Sequence, residues 1–289
     1  MTDDWYCNSS IPGCLIFLVE QSDEVSKAGA SGFSLSFEMK RMVDYGIGEL
    51  IERLRKGDEI YPRVKVGIFG YSNSHFSWCS SIKQELSGLN MISDFGECDK
   101  EYEDEQLEIH LPDLFKENLR GNGDIANGIS NLIEVVQRFA VEHPESPPPI
   151  VYHLFHTKVQ HAQKKNVLSA MENLKSVATN RGNALLFNIR MNSQQKEPQV
   201  FPHKFSNLND IYDVISMEGS SYLPLSLQKE YAWRHFGGNF YDYNVERKCY
   251  ISASGFLNSI ERLTSIFRFQ SSMLPDDEQI ALAERGFYF

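Results

Sequence analysis

Glu20, Ser22, Asp23, Glu24 and Ser26 crowd an oxygen-rich cluster directly behind an apolar run, in "CLIFLVEQSDEVSK" (Cys14–Lys27). A hard cation such as Mg²⁺ takes oxygen ligands in an octahedral arrangement. The same residue types also cap helices through backbone N–H groups, or simply face water. The residues alone leave all three readings open. "GYSNS" (Gly70–Ser74) is similar to the G-x-S-x-G nucleophile elbow, but the last glycine is missing and no clear helix follows, which favours a strand-end turn. "GNGDIANG" (Gly121–Gly128) has the glycines of a phosphate cradle, yet it follows no predicted strand and lacks a lysine; Asp124 as a helix N-cap is the favoured reading. His153 and His156 are an odd number of positions apart in "IVYHLFHTK", so a regular strand points them to opposite faces and they cannot share a metal. His153 is expected in the core, and His156 at the strand end within reach of Glu20 or Glu24.

Four short, nearly continuous apolar runs must position these groups: "CLIFLV" (Cys14–Val19), "VKVGIFGY" (Val64–Tyr71), "IVYHLF" (Ile150–Phe155) and "ALLFNI" (Ala184–Ile189). Runs of this kind read as parallel strands covered on both faces. Between them lie stripes of helical period. One runs Met39, Val43, Ile47, Leu50, Ile51, Leu54; a second runs Ile125, Ile129, Leu132, Ile133, Val136, Phe139, Ala140; a third runs Leu168, Met171, Leu174, Val177, Ala178. "LPLSLQKEYAWRHF" and "GFLNSIERLTSIFRF" read as two later helices. The alternation predicts a doubly wound α/β fold, a mainly parallel central sheet with its first strand central and helices on both faces. Ligands of such sheets bind beyond the carboxyl ends of the strands, where "EQSDE" should sit. The acidic segment 97–108, "PESPPP" and "NSQQKEPQ" read as loops, and the aromatic "WRHFGGNFYDYN" as packing of a C-terminal extension.

Four pieces in order, "LIFLVEQSDE", "VKVGIFGYSNS", "GNGDIANGI" and "IVYHLFHTK", resemble the motifs of a von Willebrand factor A-type domain, over about residues 12–190. The resemblance implies a Rossmann-like fold with a metal-ion-dependent adhesion site built from strand-end loops. It would be held by D-x-S-x-S, a threonine of the second loop and an aspartate of the last. Here Glu20 replaces the first Asp, Ser22 is kept, Glu24 replaces the next Ser, Gly123 replaces the Thr and His156 replaces the last Asp. Glu20, Ser22 and Glu24 are what is left of the ligand set. The expectation is a degenerate site without a bound cofactor, with Mg²⁺ the ion to test. The crevice residues are Glu20, Ser22, Asp23, Glu24, Asp124 and His156.

A net charge of -11 argues against nucleic-acid or anionic-membrane partners, which need a basic face. Five scattered cysteines (Cys7, Cys14, Cys79, Cys98, Cys249) form no C-x-x-C pair and read as reduced thiols of a cytoplasmic protein. No run is long enough to cross a bilayer. The chain is expected to form a single domain over 1–289, its core about 12–217, with a helical extension 218–289 packed on it. The functional expectation is a non-enzymatic protein-interaction module, an adaptor or scaffold of a bacterial signalling, stress or defence system. The alternatives are a hydrolase using Ser72 or His156, and metal-dependent ligand binding with an altered ion.

Overall fold

The computed structural model describes residues 7–29, 32–98, 100–104, 109–191, 199–202, 211–224 and 246–253. Its strands are β1 (Gly13–Glu20), β2 (Arg55–Lys56), β3 (Glu59–Ile60), β4 (Val64–Tyr71), β5 (Phe76–Trp78), β6 (Asn90–Met91), β7 (Glu101–Asp104), β8 (Ile109–Pro112), β9 (Ile150–Phe155), β10 (Ala178–Thr179), β11 (Gly182–Asn183), β12 (Leu185–Met191), β13 (Gln199–Val200) and β14 (Tyr250–Ala253). Its helices are α1 (Leu35–Leu54), α2 (Ile92–Gly96), α3 (Ile125–Glu142), α4 (Lys164–Lys175) and α5 (Ile211–Gly219).

The four apolar runs form the parallel centre of one sheet, in the order β12-β9-β1-β4, with β14 added parallel to β12, β5 and β6 antiparallel to β4 and β13 antiparallel to β14 at the edges. Strand β1 is central and buried along its whole length, as an uninterrupted apolar run requires. Its side chains alternate between two cores. Leu15, Phe17 and Val19 pack with Met39, Val43 and Ile47 of α1, while Cys14, Ile16 and Leu18 pack with Ile129, Leu132 and Val136 of α3 and Met171 of α4. Helices therefore cover both faces, and the doubly wound expectation holds. Ser34 caps α1 by accepting Phe37 N–H at 3.1 Å, and Asp124 caps α3 by accepting Asn127 N–H at 3.1 Å.

The structure departs from the sequence reading in three places. The acidic segment 97–108 is not simply a loop: Glu101–Asp104 pairs with Ile109–Pro112 as a hairpin. What allows this is a buried ion pair between Asp104 and Arg41, with Lys40 Nζ 4.7 Å from the Tyr102 ring centre. A carboxylate that looks solvated in sequence, Asp104, thus finds a cation on α1. The third stripe is shorter than its period suggested; α4 stops at Lys175, and Ala178 begins the β10–β11 hairpin. Helix α5 was not foreseen. Of the later segments, Leu223 and Pro224 are not helical. The rest of "LPLSLQKEYAWRHF", all of "GFLNSIERLTSIFRF" and "WRHFGGNFYDYN", and residues 192–198 lie outside the described residues. No helix among the described residues is long and apolar enough to cross a membrane.

Candidate functional site

Strands β1, β4 and β9 end side by side, so their following loops share one rim with the turn that leads into α3. The rim is stitched by backbone bonds. Gln21 N–H donates to Tyr71 O at 2.7 Å, Asp23 N–H to Gly121 O at 2.8 Å, Asn73 N–H to Asn122 O at 2.8 Å and Arg120 N–H to Gln21 O at 2.9 Å. Side chains add to it: Gly121 N–H donates to Asp23 Oδ2 at 3.0 Å, Asn122 N–H to Asn73 Oδ1 at 3.0 Å, and Asn118 N–H to the buried Gln21 Oε1 at 2.7 Å. Gly121 sits at φ +71°, in the left-handed region that glycine enters without steric cost. Three loops distant in sequence are thereby held as one body.

Glu20 is the centre of this arrangement. It is the last residue of β1, fully buried, and its carboxylate accepts four hydrogen bonds. Oε2 takes the backbone N–H groups of His156 (2.8 Å) and Thr157 (2.9 Å); Oε1 takes the hydroxyls of Ser22 and Thr157, each at 2.5 Å. A buried carboxylate is tolerated when donors surround it in this way. The glutamate is one methylene longer than an aspartate, and that extra length carries the carboxylate to the amides of the β9 loop.

The residues expected to line the crevice divide. Glu20 and Ser22 meet. His156 joins them through its backbone, while its imidazole Nδ1 donates to Met191 O at 2.6 Å, away from Glu20. Asp23 bonds to Gly121, and Asp124 is spent on the cap of α3. Glu24 lies in a short 3-10 turn, Asp23–Ser26. Thr157 was not singled out from the sequence. The available signal was a hydroxyl residue directly after the strand-end His156. At Gly123, an added Cβ would lie 1.9 Å from Thr157 Oγ1 and 2.6 Å from Glu20 Oε1. The glycine is there because a side chain does not fit.

In this geometry the Glu20 carboxylate is taken up by protein donors. Both of its oxygens face N–H and O–H donors, two on each. Gly123 offers no hydroxyl and no room for one. Among the described residues no group of three or more His, Cys, Asp or Glu side chains is placed to hold a metal ion.

Two other expectations can be placed. Ser72 Oγ lies 2.8 Å from His75 Nδ1, but Ser72 is fully buried and its Oγ also accepts Ser74 N–H at 3.2 Å. Ser72 N–H donates to His75 O at 2.9 Å, which closes the turn between β4 and β5. The predicted strand-end turn is what is found. His153 is fully buried, as expected of a core residue. Asn188 Oδ1, an acceptor 2.7 Å away, requires the proton on Nδ1, so Tyr71 O–H donates to Nε2 at 2.7 Å. Asn188 Nδ2 continues the chain to Ser216 O (3.1 Å) and Ser220 Oγ (2.9 Å). Burial pushes the His153 pKa down to about 4, so the ring is neutral at physiological pH.

No family model and no curated protein matches the chain. Among solved structures it is similar to the manganese-loaded TRAP protein of Plasmodium vivax, at 14% identity and TM-score 0.41, covering 89% of this chain and 74% of that one. It is similar to a minor pilin, PilB, of Streptococcus sanguinis (a D319A mutant), at 10% identity and TM-score 0.44, covering 91% and 62%. It is also similar to a von Willebrand factor type A protein of Catenulispora acidiphila, at 9% identity and TM-score 0.34, covering 63% of this chain and 33% of that one. Such superpositions transfer no residue roles. The strand order β12-β9-β1-β4, with α1 on one face and α3 and α4 on the other, is that of a doubly wound α/β fold.

Proposed function

We propose that the chain is a non-enzymatic protein-interaction module whose stitched strand-end rim engages a protein partner without a bridging divalent cation. The observation that carries this reading is the pairing of a rigid, three-loop rim with a Glu20 carboxylate that is already saturated by donors. Asp23, Asn73, Ser74 and Asn122 are exposed around that rim and offer hydrogen-bonding groups at fixed positions. A pre-organised polar surface loses little entropy on association. The net charge of -11 disfavours nucleic acid and anionic lipid as partners. The reading extends to a cytoplasmic adaptor or scaffold in a bacterial signalling, stress or defence system, acting as a single unit over 1–289. The hydrolase alternative has one observation behind it, the Ser72–His75 contact. The burial of Ser72 and its role in the turn weigh against it.

The test places a photo-crosslinking residue at Asn122 or Glu24 on the rim, and at Glu145 near the opposite, amino end of the sheet as control. A rim-specific adduct with the same protein from both rim positions, unchanged by a chelator, is expected. Equal adducts from Glu145, or rim adducts that vanish on chelation, would contradict the proposal.

A further inference from the structure

The donors around Glu20 make a receptor for an anion, not for a cation. The His156 and Thr157 amides belong to no strand pairing, because β9 ends at Phe155. Two successive backbone N–H groups therefore point at one carboxylate oxygen, and the hydroxyls of Ser22 and Thr157 point at the other. Concave sets of main-chain N–H groups of this sort bind anions. Gly123 leaves the space that the carboxylate and Thr157 fill.

We infer that the crevice is a carboxylate-binding cradle, and that Glu20 is its tethered, built-in ligand. The tether raises the effective concentration of the anion far above that of any free one, so the cradle is filled in the native protein. The inference concerns the chain's own residues and stands whatever the partner is.

Truncating the tether should turn the internal ligand into an external one. Glu20→Ala removes the carboxylate and keeps the donors. A small cavity of about 150 Å³, lined by Gly123, Asp124, Thr157 and Asn166 among others, shares Gly123 and Thr157 with the surroundings of Glu20 and lies beside the space the truncation would vacate. Formate carries the same carboxylate with no methyl group to press on the remaining Cβ, and is the probe of choice; acetate should act more weakly.

The experiment is thermal melting of wild type, Glu20→Ala and Glu20→Gln in sodium formate and in sodium chloride of equal ionic strength. In about 0.1 M formate, Glu20→Ala should melt roughly 2–4 °C higher than in chloride, and the gain should saturate. Wild type and Glu20→Gln should show no difference between the salts, because their cradle is occupied by their own side chain. Equal melting of Glu20→Ala in both salts overturns the inference. So does stabilisation of Glu20→Ala by Mn²⁺ in place of formate. Should Glu20→Ala fold in neither salt, hydrogen exchange on the wild-type protein decides. Protected His156 and Thr157 amides support the cradle; exchange at the rate of open loop amides refutes it.

Discussion

Restoring the hydroxyl that the family resemblance would place at position 123 should damage this protein. In Gly123→Thr the new Cβ meets Thr157 Oγ1 at 1.9 Å and Glu20 Oε1 at 2.6 Å. The Thr157 side chain can turn away, but then its 2.5 Å hydrogen bond to the carboxylate is lost. Overpacking costs about 1–3 kcal/mol, and losing a hydrogen bond to a charged group costs about 1.5–3 kcal/mol. The sum is about 2.5–6 kcal/mol, on the order of a 10 °C drop in melting temperature for a domain of this size. Urea denaturation of wild type, Gly123→Ala and Gly123→Thr, each with and without Mn²⁺, measures it. Because the clash begins at Cβ, Gly123→Ala should fall in the same direction, and threonine should be no better than alanine. A threonine variant as stable as wild type, or one that Mn²⁺ selectively stabilises, would refute the packing argument and restore the metal reading.

The remaining predictions concern other parts of the molecule. His153 has a folded-state pKa of about 4 against an ordinary value of 6.5, so between those values the unfolded chain binds the extra proton. The stability from keeping the ring neutral is complete above pH 6.5 and is lost as pH falls towards 4, by about 3 kcal/mol in all. His153→Phe should lose that pH slope in denaturation curves, and at neutral pH should itself cost about 2–4 kcal/mol by stranding the Tyr71 hydroxyl and Asn188. Ser72 should form no adduct with a fluorophosphonate probe; a stoichiometric adduct by mass spectrometry, abolished in His75→Ala, would establish the hydrolase alternative. Asp104→Asn breaks the buried pair with Arg41 and should cost about 3–5 kcal/mol, read by thermal or urea unfolding.

The parts of the fold visible in sequence are those governed by local pattern. Strands β1, β4 and β9 appear as apolar runs because both faces of the sheet are covered. Helices α1 and α3 appear because their buried stripes keep a helical period. What depends on a distant partner stayed hidden. Glu101–Asp104 reads as solvent-loving until Arg41 is seen beside Asp104. The acidic cluster after β1 reads as the remains of a cation site, because sequence displays the carboxylate of Glu20 but not the direction of the His156 and Thr157 N–H groups. The glutamate and Gly123 look like two separate losses; in space they are one change, since the longer acid and Thr157 take the volume a side chain at 123 would need. His153 reads correctly as a core residue, but its bonds to Tyr71 and Asn188 need three strands in register.

On the proposed reading the strand-end crevice is filled by Glu20 and engages its partner without a divalent cation. Calorimetric titration of Mn²⁺ into the chelator-treated wild-type protein, at constant ionic strength, tests this most directly. The expected result is no saturable heat, with any association weaker than about millimolar, because surface carboxylates alone hold a cation loosely. Saturable binding tighter than millimolar that disappears in Ser22→Ala would contradict it.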